Sequence, residues 1–153
     1  MTLRLHRLQR RQYLRRPVDE VFAFFAQAQN LERITPPWLR FEVRGTEPGH
    51  IAEGTLIHYR LRLHGLPLRW TSRIEEWDPG RSFVDSQLRG PYRLWHHRHT
   101  FAPDGDGTVV SDEVHYALPL GGLGQLAHLL FVRRDLERIF DYRQAAVLGA
   151  LGS

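Results

Sequence analysis

Thr55-Leu56-Ile57-His58-Tyr59-Arg60-Leu61-Arg62-Leu63 alternates without interruption. Thr55, Ile57, Tyr59, Leu61 and Leu63 form one row, set against Leu56, His58, Arg60 and Arg62. Side chains of a strand point alternately to its two faces, so this stretch predicts a strand with one buried face. His64-Gly65-Leu66-Pro67 then reverses the chain into a second row, Leu68, Trp70, Ser72 and Ile74. Further reversals follow at Asp78-Pro79-Gly80, at Gly90-Pro91 and at Pro103-Asp104-Gly105-Asp106-Gly107. They lead into Phe83–Gln87, Leu94–Phe101 and Val110–Leu118 in turn. Upstream, Phe41 and Val43 alternate before a break at Glu47-Pro48-Gly49. Turn residues at such regular spacing predict an antiparallel meander.

The flanks have a different grammar. Leu3–Leu14 reads as one more strand, its leucines interleaved with arginines. Pro17, Asp19 and Glu20 suit the start of a helix whose apolar stripe is Val21, Phe22, Phe24 and Phe25. A second short helical turn at Leu31–Ile34 must end before Pro36-Pro37. After Gly121-Gly122-Leu123-Gly124 comes a long amphipathic pattern, Leu123–Leu148. On it Leu126, Leu130, Leu136 and Phe140 share a broad face, with Asp135, Glu137 and Arg138 on the wet side. The class is α+β: about seven twisted antiparallel strands wrapped on a long C-terminal helix, with two short helices after the first strand. One helix is too narrow to fill such a concave face. A cavity is therefore expected between sheet and helix.

Composition narrows the function classes. With 153 residues and no linker or repeat, the chain reads as one domain, 1–153. The absence of cysteine excludes disulfide frameworks, thiolate metal sites and cysteine nucleophiles. No run is long and apolar enough for a membrane span, and Met1–Arg16 carries too many arginines for a signal-peptide core. The reading is cytoplasmic, with no integral membrane contact. The net charge of +4 rests on arginine alone, but Asp and Glu interrupt it throughout, so it does not make a nucleic-acid binder. Gly121–Gly124 is no dinucleotide fingerprint, and no cofactor is expected.

Several stretches together resemble a known family. They are Asn30-Leu31-Glu32 with Ile34–Leu39, Gly90-Pro91-Tyr92 with Trp95–Phe101, Asp112–Tyr116 leading to Leu118-Pro119, and Ile139–Arg143. In order and over nearly the whole chain they resemble the SRPBCC ligand-binding domains of the START and polyketide-cyclase superfamily. The bacterial cell-division-inhibitor-like branch is the most similar. The resemblance implies the helix-grip fold. It also implies an apolar or amphipathic small molecule as ligand, lipid-like or aromatic and polyketide-like. Because that branch also occurs fused to epimerase-like domains, a protein partner of that kind is a further expectation.

The polar residues most apt for chemistry cluster around the Gly90-Pro91 reversal. Counting outward from it sets Asp85 opposite His97, Gln87 opposite Trp95 and Phe83 opposite His99. The same period brings Asp112 beside His97 or His99. Three readings stand: ligand-orienting or structural polar groups, a base at His97 oriented by Asp85 for cyclisation or dehydration, and a His-carboxylate metal set. Catalytic candidates are therefore His97, Asp85, His99 and Asp112. The expected pocket wall is Tyr59, Trp70, Phe83, Asp85, Gln87, Trp95, His97, His99, Asp112 and Tyr116, faced by Leu130, Leu136 and Phe140. Trp77 falls on the opposite parity from Trp70 in a regular strand and stays outside this wall.

Overall fold

The computed structural model describes residues 3–47 and 50–152. Its strands are β1 (His6–Leu14), β2 (Glu42–Glu47), β3 (Leu56–Leu63), β4 (Leu66–Asp78), β5 (Ser82–Arg89), β6 (Leu94–Asp104) and β7 (Gly107–Ala117). Helices α1 (Val18–Phe25) and α2 (Asn30–Ile34) follow β1. A 3₁₀ turn, Pro37–Leu39, leads from α2 into β2. The expected break at Pro48-Gly49 lies outside the described residues. All seven strands join one antiparallel sheet in the order β1-β7-β6-β5-β4-β3-β2. The meander thus runs in sequence order, and only β1 crosses over, to the far side of β7. The β3–β4 reversal is a two-residue turn with positive φ at both His64 and Gly65, the geometry whose twist matches a hairpin.

The last helix has three parts: α3 (Gly121–Ala127), a wider π-type turn at His128–Val132, and α4 (Arg133–Leu151). On α4 the expected inward face is borne out, with Leu136, Phe140 and Val147 buried against the sheet. Before it, the expectation fails. Leu126 and Leu130 are exposed, because the inward side of this segment is taken by polar side chains. Gln125 bonds His6 at 2.9 Å, and His128 bonds the Tyr116 hydroxyl at 2.8 Å.

The core forms three clusters rather than one. Val21, Phe22, Phe25, Phe83, Phe101 and Val147 pack under α1. Leu8, Trp95, Val114, Tyr116, Leu136 and Phe140 pack beneath α4. Ile57, Tyr59 and Ile74 form the third, on β3 and β4. The start of α3 depends on a close approach. A Cβ at Gly124 would run into the carbonyl oxygen of Pro119 and the Cβ of Leu118. Gly124→Ala is expected to destabilise the protein by about 1–3 kcal/mol, read from urea unfolding. An unchanged midpoint would show that α3 rides free of the Pro119 strand end.

Candidate binding cavity

A cavity of about 190 Å³ lies where the three clusters fail to meet. Phe25 and Phe83 of the first cluster, Trp95, Leu136 and Phe140 of the second, and Ile57, Tyr59 and Ile74 of the third all face it. Trp70, Asp85, His97 and His99 line it as well, so most of the expected wall converges.

Four expected wall residues do not. The amide of Gln87 is occupied at both ends by the backbone of Tyr92, at 2.8 and 3.1 Å, so it clamps the β5–β6 turn. Tyr116 is buried behind Trp95 and faces His128. Leu130 is exposed, as above. Asp112 stands one layer behind the two histidines and holds them from the rear. Trp38 stays outside the cavity, half exposed against Tyr142 and Arg138.

Among the wall residues outside the expected set, Trp77 and Arg143 matter most. Trp77 lines the cavity together with Trp70 because β4 is not regular: the pairing with β5 shifts between Ile74 and Glu76. The extra residue flips the parity of everything after it, which returns Trp77 to the concave face. Arg143, which the sequence reading leaves out of the wall, also lines the cavity. The only signal for it in the sequence is an inward position one turn beyond Phe140.

The expected strand register holds, with Asp85 across from His97 and Phe83 across from His99. The hydrogen bonds nevertheless run along diagonals. His99 Nε2 donates to Asp85 Oδ2 at 2.7 Å, and His97 Nε2 donates to Asp112 Oδ1 at 2.8 Å. An imidazole is long enough to reach the diagonal neighbour, so register alone did not specify the partner. The two rings stack at 3.7 Å. Arg143 closes the group, 3.4 Å from His99 Nδ1 and 3.8 Å from Asp112 Oδ1. Among the described residues no buried side-chain polar atom lacks a partner.

The protonation states follow from this geometry. Burial pulls Asp112 upward, but the Arg143 charge and the two histidine bonds outweigh it and hold the carboxyl well below its usual range. For Asp85, burial is likewise overcome by the His99 bond and the neighbouring cations, and its pKa falls. His99 loses to burial but gains more from Asp112 and Asp85, and its pKa rises. Burial and the adjacent His99 push His97 down to about 4, against the pull of Asp112. His97 is therefore neutral near pH 7. Its proton sits on the nitrogen facing Asp112, which leaves Nδ1 as the lone-pair atom. Donor atoms of Asp85, His97 and His99 lie within 4.8 Å of one another, a spacing that a divalent ion could bridge. The Arg143 cation beside His99 opposes a second positive charge there.

Because the unfolded chain protonates His97 near 6.5 and the folded chain only near 4, stability falls as pH drops through that window. His99 acts in the opposite sense: its contribution is complete below its ordinary pKa and is lost as pH rises through its raised value. His97→Gln, which keeps a donor toward Asp112, is expected to flatten the acid slope in urea-unfolding free energies measured from pH 7 to pH 4. An unchanged slope would place the acid sensitivity elsewhere. Asp112→Asn is expected to cost about 3–5 kcal/mol, since it removes the buried carboxylate that accepts from His97 and faces the Arg143 cation.

The geometry agrees with what the chain is similar to. Among solved structures, the Thermus thermophilus protein TTHA0849 is 22% identical, with a TM-score of 0.67 over 97% of this chain and 100% of that one. The Zhui aromatase/cyclase from Streptomyces sp. R1128 is 18% identical, with a TM-score of 0.77 over 97% and 94%. A START superfamily protein from Mycobacterium smegmatis is 12% identical, with a TM-score of 0.67 over 95% and 99%. At such identities these likenesses carry the fold alone. No curated protein matches by sequence. The family model described as polyketide cyclase / dehydrase and lipid transport matches residues 6–148. The chain is thus a ligand-binding SRPBCC domain and belongs to the polyketide cyclase/dehydrase and lipid transport family.

Proposed function

We propose that the protein binds a compact aromatic or polyketide-like molecule with an apolar body and one hydrogen-bonding end. The polarity gradient of the cavity carries this reading. Trp70, Trp77, Trp95 and Phe140 offer ring faces, while Asp85, His97 and Arg143 stand together on one side. Size favours the compact ligand over a long acyl chain. About 190 Å³ is below the ~300–1,000 Å³ typical of pockets for drug-sized molecules. Burial and the Asp85 charge push the Tyr59 hydroxyl up, so it remains a neutral hydrogen-bonding group at the same wall. The likeness to an aromatase/cyclase supports the same ligand class.

Tryptophan fluorescence tests this directly. Small planar phenols and bicyclic ketones should quench it saturably, and Trp95→Ala should weaken that binding about tenfold. Phe140→Leu should admit bulkier rings. Binding of fatty acids in preference to every planar probe would overturn the compact-ligand reading.

A second reading has its own observation. The Asp112 bond fixes the tautomer of His97, as a general base requires. The base differs from the expected one only in its orienting partner, Asp112 in place of Asp85. With its conjugate acid near 4, His97 is always available but weakly basic, which is why binding stands first. On an enolisable substrate, His97→Gln should abolish turnover while ligand affinity changes less than about threefold. Normal turnover by that variant would remove the catalytic reading and leave the binding one intact.

A further inference from the structure

The segment from Leu120 to Phe131 turns its polar side chains toward the protein and its apolar ones outward. Inward, Gln125 and His128 engage His6 and Tyr116, and the His6 and His128 rings stack at 3.6 Å. Outward, Leu123, Leu126, Leu129, Leu130 and Phe131 are 52–75% exposed; Leu123, Leu126 and Leu130 form one helical stripe, with Leu129 and Phe131 on its two flanks. Leu66 extends this face at the turn whose His64 bonds Asp135 at 2.6 Å. A contiguous apolar face on this scale marks a surface that something covers.

The rim of the face says what. Arg4 and Arg134 are exposed, and among the described residues neither has a carboxylate within ion-pair distance. Arg7, Arg10 and Arg133 line an adjoining hollow of about 340 Å³ but are paired to Glu113, Asp141 and Glu137 in turn. Near the face Asp135 and Glu137 are already engaged by His64 and Arg133, so a second copy of the chain offers Arg4 and Arg134 no unengaged carboxylate there. An anionic lipid surface meets both requirements, since its phosphates match the rim and its acyl boundary takes the leucines. Among the described residues no helix is long and apolar enough to cross a membrane, so the contact is peripheral. We infer that the face built from α3, the π turn and the start of β1 docks on an anionic lipid surface, with Leu126 and Leu130 inserted and Arg4 and Arg134 on the headgroup phosphates. The inference is independent of what the cavity holds.

Flotation of the full chain with vesicles tests it. The protein should float with an equimolar mixture of phosphatidylcholine and phosphatidylglycerol, far less with phosphatidylcholine alone, and less as salt rises. Leu130→Ser should lower the partition coefficient about tenfold. Arg134→Gln should lower it about fivefold, and both variants should melt like the parent. Leu126→Ser serves as a second apolar variant should Leu130→Ser alter the melt. No flotation with either vesicle, or flotation insensitive to these apolar substitutions, overturns the inference. So does a dimer in light scattering that Leu130→Ser dissolves, because the second copy would then be the cover.

Discussion

A sheet of seven twisted strands offers a wider concave face than one helix can cover, and this mismatch of widths organises the protein. Close packing would need a second layer of helix, which the chain does not supply. Instead α1 packs one end, α4 crosses the middle, and β3 with β4 curls over the remainder, which is why the core divides into three clusters. The cavity is the space left between them. It is a consequence of the element order rather than of any one residue.

What the cavity contains follows from a second constraint. Two carboxylates, two histidines and an arginine are buried close together, and such charges persist only as a closed set. Asp85 and Asp112 provide two negative charges, and Arg143 provides one positive. The pKa of His99 is raised and that of His97 lowered, so the two stacked rings differ in how readily they take a proton. The two residues are alike in sequence and opposite in chemistry.

The sequence was legible wherever a period and a turn acted together. The rows on β3, the pairing of Asp85 with His97 and the inward face of α4 all follow from spacing that the structure leaves undisturbed. It misled wherever side chains chose among partners that spacing leaves equivalent. Leu126 and Leu130 read as core because apolar stripes usually are. His6 and Tyr116, distant in the chain, instead offered polar partners that turned the helix the other way. Gln87 had the right parity for the cavity but found both of its partners in the adjacent turn. Arg143 sat on a helix face whose depth no local pattern reports. Trp77 was missed because one added residue in β4 cannot be seen in a run that otherwise alternates.

That added residue governs how β4 tolerates change. From Trp70 to Ile74 the even-numbered positions line the cavity and the odd-numbered ones do not; beyond Glu75 and Glu76, both exposed, the inward position is the odd-numbered Trp77. Mutational tolerance along this one strand therefore inverts its phase midway. Homologues lacking the extra residue would carry their large aromatic one place over. An alignment that closed the gap by sliding β4 as a rigid block would match a cavity residue in one protein with a solvent residue in the other.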